Sequence, residues 1–109
     1  MCVQVETKEA LAKVEEIASV DMVDLVFLGP TDLSSAMGYP GQPTHPDVLA
    51  AIEEAGQKIM NVGKAAGTIA GSPDAYHRWR GLGFQYLCTG LTTLIAGASQ
   101  DYLKGARGY

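Results

Sequence analysis

The chain has 109 residues, with 8 Lys and Arg against 12 Asp and Glu, a formal net charge of −4 and 47% hydrophobic residues. That length holds one small domain, residues 1–109, and a mildly acidic balance without a basic run argues against nucleic acid or an anionic membrane as partner. No apolar run approaches the ~18 residues that span a bilayer, no signal-peptide pattern follows Met1, and 2 cysteines are too few for a disulfide framework. A cytoplasmic, reducing compartment is the expectation, with Cys2 and Cys88 as small buried apolar residues in strands.

Val3-Gln4-Val5-Glu6 reads as a short strand ending in an acid. Thr7 caps the helix that follows, with Glu9 in its first turn to favour the helix dipole. Ala10, Leu11, Val14, Ile17 and Ala18 fall on one face of that helix and Lys8, Lys13, Glu15 and Glu16 on the other, which predicts a single element over residues 7–18. Residues 24–29 form the second strand. Its Val26-Phe27-Leu28 run suits burial on both faces of a parallel sheet, and Pro30, which cannot donate to a ladder, ends it. Asp32 therefore falls just past the carboxyl end of a central strand, where parallel α/β proteins bind ligands.

Residues 33–43 read as a long functional loop that opens on a helical turn at Leu33-Ser34-Ser35-Ala36-Met37. Gly38, Pro40, Gly41 and Pro43 break any regular continuation. Thr44 then caps a helix with Pro46 and Asp47 in its first turn, running to about Asn61. Val48, Leu49, Ile52, Ala55, Ile59 and Met60 mark its buried side, and Gly63 suits the position after its end. The third strand, from Ala65 to Ala70, has unusually small side chains, as if its inward face must leave space. Ser72 and Pro73 open the next helix, which reaches Leu82 with Trp79 facing the core or an interface. His77, Arg78 and Arg80 read as its solvated face. Phe84 to Thr89 is the fourth strand, and a last helix runs to about Arg107. His45 reads as an ordinary first-turn helix residue.

This βα order, repeated four times, predicts parallel strands with right-handed crossovers. Four units fit half of an eight-stranded (β/α)8 barrel or a small open sheet, and they cannot close an ordinary barrel alone. Glu6 and Asp32 lie 26 positions apart, about one strand–helix–strand unit. On neighbouring strands, roughly 4.8 Å apart, both carboxylates would face one small volume. Two hard oxygen donors with room for water suit a divalent cation such as Mg²⁺, Mn²⁺ or Co²⁺. The competing reading makes Asp32 a cap for the turn at Leu33-Ser34, and Ser34 and Ser35 are themselves more suited to capping than to substrate contact.

Val-Gln-Val-Glu-Thr at residues 3–7, Val-Phe-Leu-Gly-Pro-Thr-Asp-Leu-Ser at 26–34, Gly38-Tyr39-Pro40 and Gly63-Lys64-Ala65-Ala66-Gly67 together resemble the carboxyl-terminal half of the HpcH/HpaI aldolases, of the phosphoenolpyruvate/pyruvate barrel superfamily. The resemblance covers essentially the whole chain. It implies a metal-dependent class II aldolase, a carbon–carbon lyase that acts on 2-oxo acids through a pyruvate enolate, of the 2-keto-3-deoxy acid or 4-hydroxy-2-oxo acid type. The implied partners are a small 2-oxo acid and an aldehyde, and the implied state is a homo-oligomer. By the same resemblance Glu6 and Asp32 hold the metal, Gln4 contacts substrate or a metal-bound water, and the backbone N–H groups of Thr31 and Asp32 receive the substrate carboxylate. Leu91 and Leu94, just after the fourth strand, suit either the lining of a substrate pocket or ordinary packing.

The family barrel has eight units, and this chain resembles the last four. The family's catalytic arginine and histidine come from the first half and have no counterpart here, since neither His45 nor His77 matches a catalytic position. The resemblance thus implies a fragment, a truncated product or an engineered half-barrel. Its alternative function is a non-catalytic scaffold whose open strand edges self-associate, so that two copies rebuild an eight-stranded ring. A citrate-lyase-like or malyl-CoA-lyase-like relative ranks lower, because no basic groove suits a CoA phosphate. A P-loop is also absent, since the glycines around Thr68 lack the Lys-Ser/Thr ending.

Overall fold

A computed structural model describes residues 1–108. Four strands, β1 (Cys2–Val5), β2 (Leu25–Leu28), β3 (Ala65–Ile69) and β4 (Tyr86–Cys88), form one sheet in the order β1-β2-β3-β4. Every pairing is parallel. The helices between them are α1 (Lys8–Ala12) and α2 (Val14–Ala18), then α3 (Pro30–Ala36) and α4 (Pro46–Asn61), then α5 (Pro73–Gly81), with α6 (Leu91–Arg107) after β4. Strands that are neighbours in sequence and in the sheet, parallel, with a helix in every crossover, are the arrangement of half a (β/α)8 barrel. Among the described residues no helix is long and apolar enough to cross a membrane.

The core lies on one side of the sheet. Val5, Val26, Leu28 and Ala66 point from the strands into it and meet Val14 and Ala18 of α2, Val48, Ile52 and Ile59 of α4, and Trp79 and Phe84. Alternation along each strand sends Gln4, Phe27, Gly67 and Tyr86 to the opposite face in one row. That face corresponds to a barrel interior, and Gln4, Ile69 and Tyr86 are exposed on it. The expectation that both cysteines are buried fails for the same reason. Cys2 is exposed and Cys88 half-buried, because both belong to the face that has no second layer.

The small third strand has a use that the sequence reading misplaced. A Cβ on Gly67 would come 2.9 Å from the Tyr86 carbonyl oxygen and 3.1 Å from Tyr86 Cδ1. The absent side chain makes way for the tyrosine ring, which reaches over the glycine to meet Phe27 edge-on at 6.0 Å. The space is thus filled from the neighbouring strand, and the contact links β2 to β4 across β3.

Thr68 is the buried polar residue of β3, and its hydroxyl donates to the Leu28 carbonyl at 2.9 Å. Thr68→Val keeps the shape and removes the donor, so the expected cost is about 1 kcal/mol. Urea unfolding checks it, through a lowered midpoint with an unchanged slope.

Several boundaries differ from those expected. The helix predicted over residues 7–18 breaks at Lys13, where φ is −108° and ψ is 20°. The turn predicted from Leu33 begins at Pro30 and is a full helix, because the proline that stops the strand also presets φ for the first helical position. The cap of α4 is His45 rather than Thr44, and His45 Nδ1 accepts from Asp47 N–H at 3.1 Å. Trp79 belongs to the core.

None of the residues of α6 is buried. Seventeen residues make a helix about 26 Å long, and its Leu91, Leu94, Ile95, Tyr102 and Leu103 are exposed. The described residues extend over 55 × 27 × 21 Å.

Candidate functional site

The carboxyl ends of β1 and β2 meet through a hydrogen bond from Gly29 N–H to the Val5 carbonyl, 3.2 Å long. Gly29 is the N-cap of α3 and Pro30 its first residue, so the chain passes from strand to helix without a loop. This puts Asp32 in the first turn of α3, where a carboxylate also favours the helix dipole. Gly29 has little room above it. A Cβ there would lie 3.0 Å from Gln4 Nε2, 3.8 Å from Glu6 Cβ and 3.9 Å from Glu6 Oε2. Gln4 and Glu6 therefore lie over the glycine on the barrel-interior face.

The neighbouring Asp32, through hydrogen bonding and then through its negative charge, with a smaller contribution from burial, holds the Glu6 carboxyl above the usual glutamate range. Two like charges brought together are an arrangement that a divalent ion relieves. Among the described residues, no group of three or more His, Cys, Asp and Glu side chains gathers as a metal cage. Two carboxylates with the neighbouring Gln4 amide make a set of hard oxygen donors. That set fits Mg²⁺, Mn²⁺ or Co²⁺ and fits poorly a soft metal that prefers thiolate.

The raised Glu6 pKa sets the sign of a pH effect. Between the ordinary glutamate value and the raised one, the folded chain binds more protons than the unfolded chain, so this pair's contribution to stability falls as pH rises through that window. The metal-free chain is expected to melt at a higher temperature near the lower end of the window than at neutral pH. Glu6→Gln should flatten that part of the profile, and melting curves across the range check both.

The other expected site residues are placed less uniformly. Thr31 is exposed in the first turn of α3 and borders a cavity. Ser34 is buried and donates to the Thr31 carbonyl at 2.7 Å, and Ser35 donates to the same carbonyl at 3.4 Å, so both brace α3. Leu91 is 72% exposed and is not among the residues bordering the cavity, where Gly90 and Thr93 stand instead. The segment before α4 is pinned by a small cluster. The Tyr39 ring stacks on His45 with centroids 3.8 Å apart, and the Tyr39 hydroxyl donates to Asp47 Oδ2 at 2.6 Å. This bond to Asp47, together with the charge of that carboxylate, raises the Tyr39 pKa. Ile69, Arg78 and Trp79 also border the cavity, and sequence reasoning did not assign them to a site. Only their meeting in three dimensions could have shown it.

The model of the HpcH/HpaI aldolase/citrate lyase family matches residues 1–94. A hydroxypyruvate/pyruvate aldolase of Pseudomonas aeruginosa is 45% identical over 107 residues, covering 96% of this chain and 40% of that protein. A 4-hydroxy-2-oxo-heptane-1,7-dioate aldolase of Klebsiella pneumoniae is 48% identical over 99 residues, covering 88% of this chain and 37% of that protein. Among solved structures, a HpcH/HpaI aldolase/citrate lyase family protein from Burkholderia cenocepacia superposes with a TM-score of 0.88 at 31% identity, over 97% of this chain and 42% of that one. The chain thus spans about 40% of the length of these relatives. By the extent of the family match, the identity and the shared architecture, this chain belongs to the HpcH/HpaI aldolase/citrate lyase family.

Proposed function

We propose that the chain carries the metal-binding half of a divalent-metal-dependent aldolase that makes or breaks a carbon–carbon bond beside the pyruvate unit of a 2-oxo acid. The observation that carries this reading is the close pair of Glu6 and Asp32, with Gln4 laid over Gly29 beside them. The names of the relatives, a hydroxypyruvate/pyruvate aldolase and a 4-hydroxy-2-oxo-heptane-1,7-dioate aldolase, support the same class of substrate.

In this reading Glu6 and Asp32 hold the cation, and Gln4 hydrogen-bonds an oxygen of the substrate. When bound, the cation supplies the positive charge that stabilises an enolate as the bond breaks. The N–H groups of Thr31 and Asp32, in the first turn of α3, have no partner within the helix and are free to receive the substrate carboxylate. Pro30 has no N–H to offer, so this donor pair starts at Thr31.

The experiment is Mn²⁺-dependent release of pyruvate from 4-hydroxy-2-oxo acids, followed continuously with a coupled dehydrogenase. Release that needs the metal supports the aldolase reading. A chain that neither binds Mn²⁺ nor releases pyruvate belongs to the second reading, a non-catalytic half-barrel that self-associates. The second reading has its own support in the exposed apolar face of α6 and in the exposed Ile69 and Tyr86. Sedimentation resolves it: a stable monomer at tens of micromolar contradicts self-association.

A further inference from the structure

The segment between α3 and α4, residues 38–45, borders a cavity of about 530 Å³ through Pro43 and Thr44. Trp79 of α5 borders the same cavity, and so does Thr31, the residue before Asp32. That volume is in the range of pockets for small organic ligands. The segment turns at Gly38 and Gly41, whose φ values of 89° and 71° suit glycine alone without strain. A pin of three side chains fixes it where it enters α4.

The Tyr39 and His45 rings stack with centroids 3.8 Å apart and planes 13° apart. The Tyr39 hydroxyl donates to Asp47 Oδ2 at 2.6 Å, and Asp47 N–H donates to His45 Nδ1 at 3.1 Å. The last bond caps α4, and it forms only while Nδ1 carries no proton. A serine, threonine or asparagine would cap the helix at any pH. A histidine makes the cap conditional, because an imidazole changes charge between about pH 5 and 8. Asp47 holds the Tyr39 phenol above its ordinary pKa, so the phenol keeps its proton through that range.

Protonation sets a donor against the Asp47 N–H and puts a cation at the positive end of α4. The charged groups around the ring come from three helices. Asp47 is on α4 itself, and Asp74 and Arg78 of α5 border the same cavity as Thr44. On α3 the charged side chain is Asp32, which neighbours Glu6. Arg78 opposes an imidazolium, and either the Asp47 or the Asp74 carboxylate draws it out of the cap and off the tyrosine.

We infer that residues 38–45 are a pH-gated strap on this cavity: the neutral His45 ring, stacked on Tyr39 and accepting from Asp47 N–H, holds the strap in place, and protonation of His45 releases it. Neither a metal nor the aldolase reading is needed for the device. Thr31 links the cavity to the turn that carries Asp32, so the strap sets access to that side of the acidic pair.

The chain has two histidines and one tryptophan, so the ring protons of His45 and His77 can be titrated separately and Trp79 reports alone on the cavity. Order parameters from ¹⁵N relaxation, read for the non-proline residues of 38–45, are expected to fall on acidification from about 0.85, the value of rigid backbone, to below about 0.6. The fall should follow the titration of the His45 ring and not that of His77, and acrylamide quenching of Trp79 should rise with the same midpoint. His45→Asn keeps a capping oxygen and loses the titration, so the strap should stay ordered throughout, with the rest of the spectrum showing that the variant is folded. Tyr39→Phe frees the Asp47 carboxylate for the imidazolium and should move the release to higher pH. An unmodified chain whose strap is equally ordered at both ends of the range overturns the inference. So does a transition that follows His77, one that persists in folded His45→Asn, or a midpoint that Tyr39→Phe leaves unmoved.

Discussion

Asp32→Asn and Glu6→Gln are each expected to lower Mn²⁺ affinity by about 100-fold or more. Loss of a group that only supports a ligand already costs about 10–100-fold, and here the change removes a carboxylate from a set that has only two. Both substitutions preserve shape, so the effect isolates charge. Glu6 and Asp32 repel one another in the absence of a cation, so the same substitutions should leave the metal-free chain at least as stable as before at neutral pH. Weaker metal binding with undiminished stability is the signature of a site. Asp47→Asn serves as a control, since Asp47 holds Tyr39 and His45 in the segment before α4. Calorimetric titration reads all three variants. Unchanged Mn²⁺ affinity in both Asp32→Asn and Glu6→Gln would remove these residues from the metal site.

Phe84→Ala is expected to cost about 3–5 kcal/mol. Phe84 is fully buried and lies against Trp79, with ring centroids 4.9 Å apart and planes tilted by 55°. On its other side is Gly56 of α4, where an added Cβ would collide with the ring carbons of Phe84. The glycine lets α4 close directly on the aromatic ring, so truncation leaves a cavity between α4 and α5 that neither helix can readily fill. A domain of this size has roughly 5–15 kcal/mol of stability in total, and this one leaves a sheet face uncovered. The loss therefore takes about a fifth or more of what holds the fold together. Gly56→Ala attacks the same contact from the helix side, and the steric cost there should outweigh the gain of about 1 kcal/mol in helix propensity. Urea or thermal unfolding of both variants measures the effect. A Phe84→Ala chain within 1 kcal/mol of the parent would mean that the α4–α5 contact is not packed as described.

The strand order and the acidic pair were legible because each rests on a local rule. Val26, Phe27 and Leu28 carry the doubly buried pattern, and an acid follows each of the first two strands at its carboxyl end. The break at Lys13 was not legible, because the apolar spacing from Ala10 to Ala18 runs through it and no Gly or Pro marks it. The start of α3 was misplaced because proline stops a strand and opens a helix equally well, and only the tertiary position of Pro30 decides that it does both. His45 was passed over as a cap because its ring nitrogen substitutes for the hydroxyl or carboxylate usual there. The exposure of Cys2 and α6 and the half-burial of Cys88 depend on what covers a face, and an amphipathic pattern is the same whether the cover is present or not. The cavity is the furthest from the sequence. Thr31, Leu49, Ile69, Arg78 and Trp79 come from four separate elements, and no spacing in the chain joins them.

The most direct measurement is titration of Mn²⁺ into the chain with and without saturating oxalate, a planar dianion shaped like the enolate of pyruvate. If Glu6, Asp32 and Gln4 form half of a site that substrate oxygens complete, oxalate should tighten Mn²⁺ binding by roughly tenfold, and Mn²⁺ should tighten oxalate binding by the same factor. Mn²⁺ affinity that oxalate leaves unchanged, or no Mn²⁺ binding at concentrations on the order of millimolar, would contradict a metal-dependent aldolase site in this chain.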